Sequence, residues 1–354
     1  MTDPFELLAE LCALPAPSGR EEPVRRTLLD RWSGRVGELF VDPVGNVVAR
    51  VTEGGPKLLV HAHMDEISYV VRSITEDGFL LLDTGQGRRR EGPELRHMIG
   101  RDVTVIAARG VLVDGVIAAP AGHVLTRAQL DEPRPGWDGF FVDLGLESRG
   151  EIEALGIHVG AGVVFSTPTR RLGRRLVGKA MDDRVALTAI DLLLDAVASA
   201  GRHWELWVAA TVQEESGVHG ARALAATRRF DAAIAVDVGL VGDVPGVGRA
   251  EYEAALGRGP TIVHKDALAF YDSRLVDSLL DAAARDGIPF QHGVYAGYGS
   301  DAVPFLDAGM PSALVAVPTR YTHTAFEMVD ERDVHALVRL LASFVKTPPT
   351  EGET

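Results

Sequence analysis

Apolar runs that end abruptly in histidines or carboxylates recur along this chain, and they restrict its fold more than any other feature. The run Lys57–Val60 leads into His61–Asp65, and the run Trp204–Val212 leads into Glu214-Glu215. Asp237 ends a third run. Short apolar runs of this kind are typical of buried strands, and open α/β sheets place ligand sites at the carboxyl ends of their strands. We therefore expect these polar side chains to meet at one edge of a sheet.

Helix-like and strand-like segments alternate around these runs. The N-terminal segment has a capping aspartate, Asp3, followed by a proline at the first helical position. Further helices are predicted at 184–200, 272–286 and 330–345, and further strands at 204–212, 232–236 and 312–317. This alternation predicts an α/β fold in which a mainly parallel or mixed sheet is sandwiched by helices.

Residues 67–165 have a different pattern. Short β-rich runs such as Val103–Ala107 and Val111–Ile117 alternate there with glycine turns, and long helices are scarce. A chain of 354 residues has room for one large domain carrying a smaller one. We predict a catalytic α/β domain formed by 1–66 and 166–354, interrupted by an inserted β domain at 67–165.

Composition excludes several classes of function. The formal net charge of −14 argues against a nucleic acid or an anionic membrane surface as the main partner. No apolar stretch approaches roughly 18 residues, and the N-terminus lacks the pattern of an export signal. Cys12 is the only cysteine, so neither an intrachain disulfide nor a thiolate zinc cluster can form. We expect a cytoplasmic protein that acts on small or peptide substrates.

The pair His63 and Asp65 has the spacing of a metal-binding histidine and its orienting carboxylate. Residues two apart on an extended segment face the same side, so Asp65 can bond one imidazole nitrogen and leave the other for a metal. A histidine at the edge of the core, paired with its neighbour, would explain the two residues equally well in isolation. We expect His61 to be a packing residue.

Two pairs of adjacent acids add to this set. Glu214 and Glu215 follow a buried strand and repel each other unless a cation or a shared proton relieves them. One could bind metal while the other acts as general base, although a solvated acidic turn is an alternative. Asp182 and Asp183 precede a helix, where one acid could instead cap free backbone amides. A lone histidine such as His323 is more often structural.

Taken together, these residues favour a metal centre. Two histidines and three carboxylates suit two borderline divalent cations if one carboxylate bridges them. Two ions about 3.5–4 Å apart can generate hydroxide from a shared water and stabilise a tetrahedral oxyanion. The set therefore predicts hydrolysis of an amide.

The same residues occur in motifs that resemble those of the tetrahedral aminopeptidases, also called the glutamyl or deblocking aminopeptidase family of cocatalytic metallopeptidases. The resemblance spans nearly the whole chain. The segments that carry it are Pro17-Ser18-Gly19, Asp42-Pro43-Val44-Gly45-Asn46, Ala62-His63-Met64-Asp65-Glu66-Ile67, Gly178-Lys179-Ala180-Met181-Asp182-Asp183-Arg184, Thr211-Val212-Gln213-Glu214-Glu215, Ala235-Val236-Asp237-Val238, Gly242-Asp243-Val244-Pro245-Gly246 and Pro318-Thr319-Arg320-Tyr321-Thr322-His323.

The resemblance implies a ligand set. One divalent ion would be held by His63, Asp182 and Asp237, and the other by Asp182, Glu215 and His323. Asp182 would then be the bridging carboxylate. The family implies zinc or cobalt at both positions.

The resemblance also implies an activity and an assembly. Glu214 would be the general base and Asp65 would orient His63. A hydroxide bridging the two metals would hydrolyse N-terminal residues from short peptides. The inserted domain would resemble a β-barrel, take part in assembly and control access to the active site. The family forms homo-oligomers, including tetrahedral dodecamers.

Other readings of the sequence are weaker or remain open. The segment Gly297–Ala302 satisfies the G-x-G-x-x-A pattern of dinucleotide-binding enzymes, but it lies late in the chain and leaves the metal ligands unexplained. A two-metal deacylase or carboxypeptidase-like hydrolase could use the same ligands, and a non-enzymatic binding module is a third class. The motifs do not determine the preferred N-terminal residue, because that pocket is formed by other side chains.

Overall fold

A computed structural model describes residues 3–86, 97–127, 136–198, 203–248 and 250–348. The helices in these ranges are α1 (Pro4–Ala13), α2 (Glu22–Trp32), α3 (Arg149–Ala154), α4 (Met181–Val197), α5 (His219–Thr227), α6 (Ser273–Arg285), α7 (Val303–Asp307) and α8 (Glu331–Val345). The strands are β1 (Glu38–Val41), β2 (Val47–Arg50), β3 (Lys57–His63), β4 (Tyr69–Ile74), β5 (Phe79–Thr84), β6 (Arg101–Ile106), β7 (Leu112–Ala118), β8 (Phe141–Asp143), β9 (Gly162–Phe165), β10 (Arg170–Leu172), β11 (Arg175–Gly178), β12 (Glu205–Thr211), β13 (Ala232–Leu240), β14 (Thr261–Lys265), β15 (Gln291–Val294), β16 (Ser312–Thr319) and β17 (Glu327–Asp330).

The main sheet has the strand order β1-β2-β12-β3-β13-β16-β14-β15. Its four central strands, β12, β3, β13 and β16, are parallel to one another, whereas β2 and β14 pair antiparallel to β12 and β16. Thr211 pairs with His63 at the carboxyl ends of β12 and β3. The residues that follow these strands therefore emerge at the same edge of the sheet.

Helices cover both faces of this sheet. Leu58 and Val60 of β3 belong to a core cluster that includes residues of α1, α2, α4, α6 and α8. Leu59 belongs to a second cluster, which contains Leu224 of α5 and Phe305 of α7. Successive side chains of a strand point to opposite faces, so the sheet is sandwiched by helices. The predicted α/β fold is confirmed.

A closed barrel with the strand order β4-β5-β8-β7-β6-β9 lies between residues 69 and 165. It has its own apolar core, which includes Val71, Leu82, Val103, Val105 and Val163. The predicted small β-barrel is thus present. The division of the chain at 67 and 165 into two domains stays a prediction.

A small antiparallel sheet joins β10 and β11, which lie between the barrel and α4 in the chain, to β17, which directly precedes α8. Gly178 ends β11, and a Cβ at this position would lie 2.7 Å from Oγ1 and 2.8 Å from Cα of Thr169. Only glycine fits this close approach. β11 leads directly into the segment that carries Asp182, and β17 begins shortly after His323.

Several predicted element boundaries were wrong. The helix predicted at 184–200 begins at Met181 and ends at Val197. The strand predicted at 232–236 continues to Leu240, because its pairing with β16 persists to the partners Leu240 and Thr319. Asp237 therefore lies within β13. Among the described residues, no helix combines the length and apolar composition needed to cross a bilayer.

Candidate metal centre

His63 is the last residue of β3, and its ring is buried between two carboxylates. Nδ1 lies 3.3 Å from Oδ1 of Asp65, and Nε2 lies 2.9 Å from Oδ1 of Asp182. Burial disfavours the charged imidazole, but the contacts with Asp182 and Asp65 outweigh it and raise the pKa of His63 well above its usual value. The structure thus places Asp65 on one ring nitrogen and directs the other towards Asp182.

Asp182 spans the two histidines of the predicted site. Its Oδ1 faces His63, and its Oδ2 lies 3.1 Å from Nε2 of His323. Burial opposes ionisation, but the contacts with the two imidazoles outweigh it and lower the pKa of Asp182. The residue at the N-cap of α4 is Ala180, and no side chain caps this helix. Asp182 is therefore not a helix cap.

Glu215 completes one side of the cluster. Its Oε1 lies 3.5 Å from Nε2 of His323, and its Oε2 accepts a hydrogen bond of 2.8 Å from Nε2 of Gln86, which follows β5 of the barrel. The backbone N–H groups of Glu214 and Glu215 donate to the Asp65 carboxylate over 3.0 and 3.2 Å. Asp65 therefore connects His63 to the segment that carries both glutamates.

The ligand atoms form two groups. One atom each from His63, Asp183 and Asp237 lie within 4.8 Å of one another, and the same holds for Asp182, Glu215 and His323. The 2.9 Å contact between His63 and Asp182 joins the groups. The structure brings together all the predicted metal ligands. It adds Asp183, whose Oδ2 accepts from the His63 backbone N–H over 3.3 Å.

The cluster carries more negative charge than its neighbours balance. Burial, together with nearby carboxylates, raises the pKa values of Asp183, Glu214 and Asp237 well above their usual range. In the part of the chain that the structure describes, no lysine or arginine forms an ion pair with them. Oδ1 of Asp183 is buried and has no hydrogen-bond partner among the described residues. This group of side chains offers many carboxylate oxygens and two imidazoles, and part of its hydrogen-bonding capacity is unused. Such a group fits divalent cations.

Three residues of this site were missed by reasoning from the sequence. Glu327 accepts the backbone N–H of Asp182 over 2.8 Å and that of His323 over 2.9 Å, and burial raises its pKa to about 8. Ser18 donates to Oδ2 of Asp65 over 2.5 Å. Gln86 contacts Glu215, as described above. Only Ser18 had a signal, since it lies in one of the motifs.

His61 packs in the core, as the sequence predicted. Its ring is buried, lies 4.7 Å from the ring of Phe305 between centroids, and has no hydrogen-bond partner in the described structure. Burial lowers its pKa to about 3. His61 is therefore a neutral packing residue beside the metal centre.

Comparison with known proteins agrees with this geometry. The model of the M42 glutamyl aminopeptidase family matches residues 45–340. The chain belongs to this family. It is similar to the lysyl aminopeptidase of Pyrococcus furiosus, with 28% identity over 97% of this chain and 96% of that protein. M42 members are peptide hydrolases that use divalent metal, so this chain is a metal-dependent aminopeptidase.

Solved structures of M42 relatives share the whole fold. Aminopeptidase APDkam598 from the archaeon Desulfurococcus kamchatkensis has a TM-score of 0.86 and 33% identity, covering 98% of this chain and 95% of its own. The Pyrococcus horikoshii TET1 peptidase, which can assemble into a tetrahedron or a large octahedral shell, has a TM-score of 0.82 and 30% identity, covering 96% and 98%. The resemblance inferred from the motifs is thus confirmed.

Proposed function

We propose that this aminopeptidase removes N-terminal residues from short peptides with the help of two divalent cations. The observation that carries the proposal is the position of Asp182, whose two carboxylate oxygens face Nε2 of His63 and Nε2 of His323 at 2.9 and 3.1 Å. A carboxylate between two imidazoles suits a ligand shared by two ions. His63, Asp182 and Asp237 would hold one ion, and Asp182, Glu215 and His323 the other.

The donor set supports zinc or cobalt. Imidazole nitrogens combined with carboxylate oxygens, without thiolates, are typical ligands of these borderline ions. When bound, two such ions supply Lewis acidity that makes water a nucleophile near neutral pH and stabilises the oxyanion of the transition state.

In this proposal Glu214 acts as the general base. Glu214 is partly buried and directly precedes the proposed ligand Glu215, and the charges of His63 and Asp237 both act on its carboxyl. Its backbone N–H is fixed by Asp65 over 3.0 Å. Glu214 would take a proton from the attacking water and deliver it to the leaving amine. Asp65 would fix the position of the His63 ring relative to the segment of Glu214 and Glu215.

Substrate class is tested by a direct comparison. Aminoacyl p-nitroanilides with acidic, aliphatic and basic side chains would be assayed beside N-acyl amino acids, each with added zinc or cobalt and with metal content measured on the same sample. We expect turnover of the free-amine substrates. Turnover of N-acyl amino acids alone would favour the alternative, a two-metal deacylase or carboxypeptidase-like hydrolase, and metal binding without any turnover would indicate a binding module.

We also propose that the protein is a homo-oligomer, with a tetrahedral dodecamer as the expected form. Support comes from the Pyrococcus horikoshii TET1 peptidase, described both as a dodecamer and as a tetrahedral or octahedral assembly. The barrel between 67 and 165 would serve assembly and access to the active site. Light scattering should give about twelve times the chain mass of 37.9 kDa, and a monomer would contradict this.

A cytoplasmic location is supported by the single, buried and free Cys12.

A further inference from the structure

We propose that Glu327 is a positioning residue, which sets the distance between Asp182 and His323 and thereby the affinity of the second metal position. The inference rests on the proposed function, because it assumes that these two side chains bind metal. Glu327 belongs to neither of the two groups of candidate ligand atoms. It contacts the backbone of two ligand residues.

The small sheet explains why one carboxylate can reach both. Gly178, at the end of β11, pairs with Glu327, at the start of β17. β11 continues into the segment of Asp182, and His323 lies four residues before Glu327. The pairing of these two strands therefore brings two ligand-bearing segments together, although they are far apart in the chain.

Glu327 then joins these segments. Its Oε2 accepts the Asp182 N–H over 2.8 Å and its Oε1 accepts the His323 N–H over 2.9 Å. The side chain is 1% exposed, so water does not compete for these bonds. Each oxygen accepts one backbone N–H, so a single side chain holds both ligand-bearing segments. Among the described residues, no other side chain accepts the backbone N–H groups of two proposed ligand residues.

The backbone of His323 shows why such a bond is needed. This residue has a φ of 59°, in the left-handed region that non-glycine residues rarely adopt. A conformation of this kind persists only where surrounding contacts determine it. The bond from the His323 N–H to Glu327 is such a contact, and it helps to direct the imidazole towards Asp182.

The test is the variant Glu327→Gln. A carboxamide has one accepting oxygen, so its NH₂ group would face one of the two backbone N–H groups and that bond would be lost. Loss of an outer partner of a metal ligand typically weakens metal binding 10–100-fold. We expect zinc titration against a chromogenic chelator to show one of two ions bound about 10–100-fold more weakly. Saturating metal should restore most of the wild-type kcat.

Asp333 offers a matched control. Its carboxylate is 0% exposed and also accepts two backbone N–H groups, those of Gly257 and Gly259, over 2.6 and 2.7 Å. Asp333→Asn makes the same chemical change outside the proposed centre. Both variants should have a lower Tm, but Asp333→Asn should bind both ions with wild-type affinity.

The outcomes separate the inference from the proposed function. If the wild-type protein binds no divalent ion, the proposed function fails. If the wild type binds two ions and Glu327→Gln binds them equally well, or if Asp333→Asn weakens them to the same extent, Glu327 is only a structural residue. Should Glu327→Gln not fold, Glu327→Asp keeps the carboxyl group but shortens its reach, and wild-type affinity in that variant would overturn the inference.

Discussion

Two buried clusters of charged residues lie side by side in this protein, and they differ in how their charge is balanced. In the first, both oxygens of Glu66 accept hydrogen bonds of 2.7 Å from Nζ of Lys179, and Nη2 of Arg184 lies 3.7 Å away. In the second cluster, the metal centre, no lysine or arginine among the residues that the structure describes forms an ion pair with the acids. A buried charge is costly unless it is paired. The second cluster is therefore the one that requires cations from outside the chain.

The same two segments of chain build both clusters. Asp65 faces the metal centre while its neighbour Glu66 faces the lysine. Asp182 lies between Lys179 and Arg184 in the sequence. The balanced cluster thus fixes the backbone whose neighbouring side chains form the unbalanced one. The comparison separates residues that act on stability from residues that act on metal and turnover.

The largest effect is expected at Glu214, in the unbalanced cluster. Glu214→Gln should lower kcat by about 10²–10⁴-fold, because it removes the proposed general base. Metal analysis should still find the wild-type number of ions per chain, since Glu214 is not a proposed ligand. Near-normal turnover would remove Glu214 from the role of base, whereas loss of metal would make it a ligand.

The next effect concerns the balanced cluster. Lys179→Met should lower the free energy of unfolding by about 3–5 kcal/mol, because it removes the direct partner of a buried carboxylate and leaves Glu66 only the longer 3.7 Å contact with Arg184. Urea unfolding measures this, with Arg26→Met as the control, since Arg26 pairs with Glu22 on the surface and should contribute less than about 1 kcal/mol. Equal losses of unfolding free energy in the two variants would show that the buried pair of Lys179 and Glu66 stabilises the fold no more than a surface ion pair does.

A smaller effect is expected where the two clusters meet. Asp65→Asn should weaken metal binding about 10–100-fold, because Asp65 orients His63 and the segment of Glu214. The control is Asp42→Asn, since the Asp42 carboxylate accepts N–H groups of its own turn. Isothermal titration with zinc would compare them. Unchanged affinity in Asp65→Asn would mean that the position of His63 does not depend on Asp65.

The smallest effect is expected at Cys12, which should not be alkylated in the folded protein. Cys12 lies against the balanced cluster, with its Sγ 3.6 Å from the carbonyl oxygen of Ala180, and burial raises its pKa to about 12. The thiolate is the reactive form, so iodoacetamide should not modify the folded protein and should leave its activity unchanged. Mass spectrometry would show alkylation only after unfolding in urea. Rapid alkylation of the folded protein would mean that water reaches this region.

Local sequence patterns predicted much of this structure. Asp3, Asp272 and Asp330 each cap a helix near its predicted start. The apolar runs before His63 and Glu214 are strands whose ends meet. These features depend on neighbouring residues, such as a side-chain oxygen next to free N–H groups or polar residues after a buried strand.

Features that depend on distant pairing could not be predicted in this way. β13 extends to Leu240 because β16 lies beside it, and nothing in the local sequence indicates this pairing. Glu327 reaches Asp182 only because its strand pairs with β11, far away in the chain. Gln86 reaches Glu215 from the barrel. The roles of the ligands and the number of metal ions remain predictions.

The central claim is that distant side chains converge around two divalent cations, with Asp182 shared between them. Elemental analysis of the wild-type protein and of Asp182→Ala, after dialysis from excess zinc or cobalt, tests it most directly. We expect two ions per chain in the wild type and fewer than two in the variant. A wild type that retains no divalent ion, or a variant that retains two, would contradict the claim.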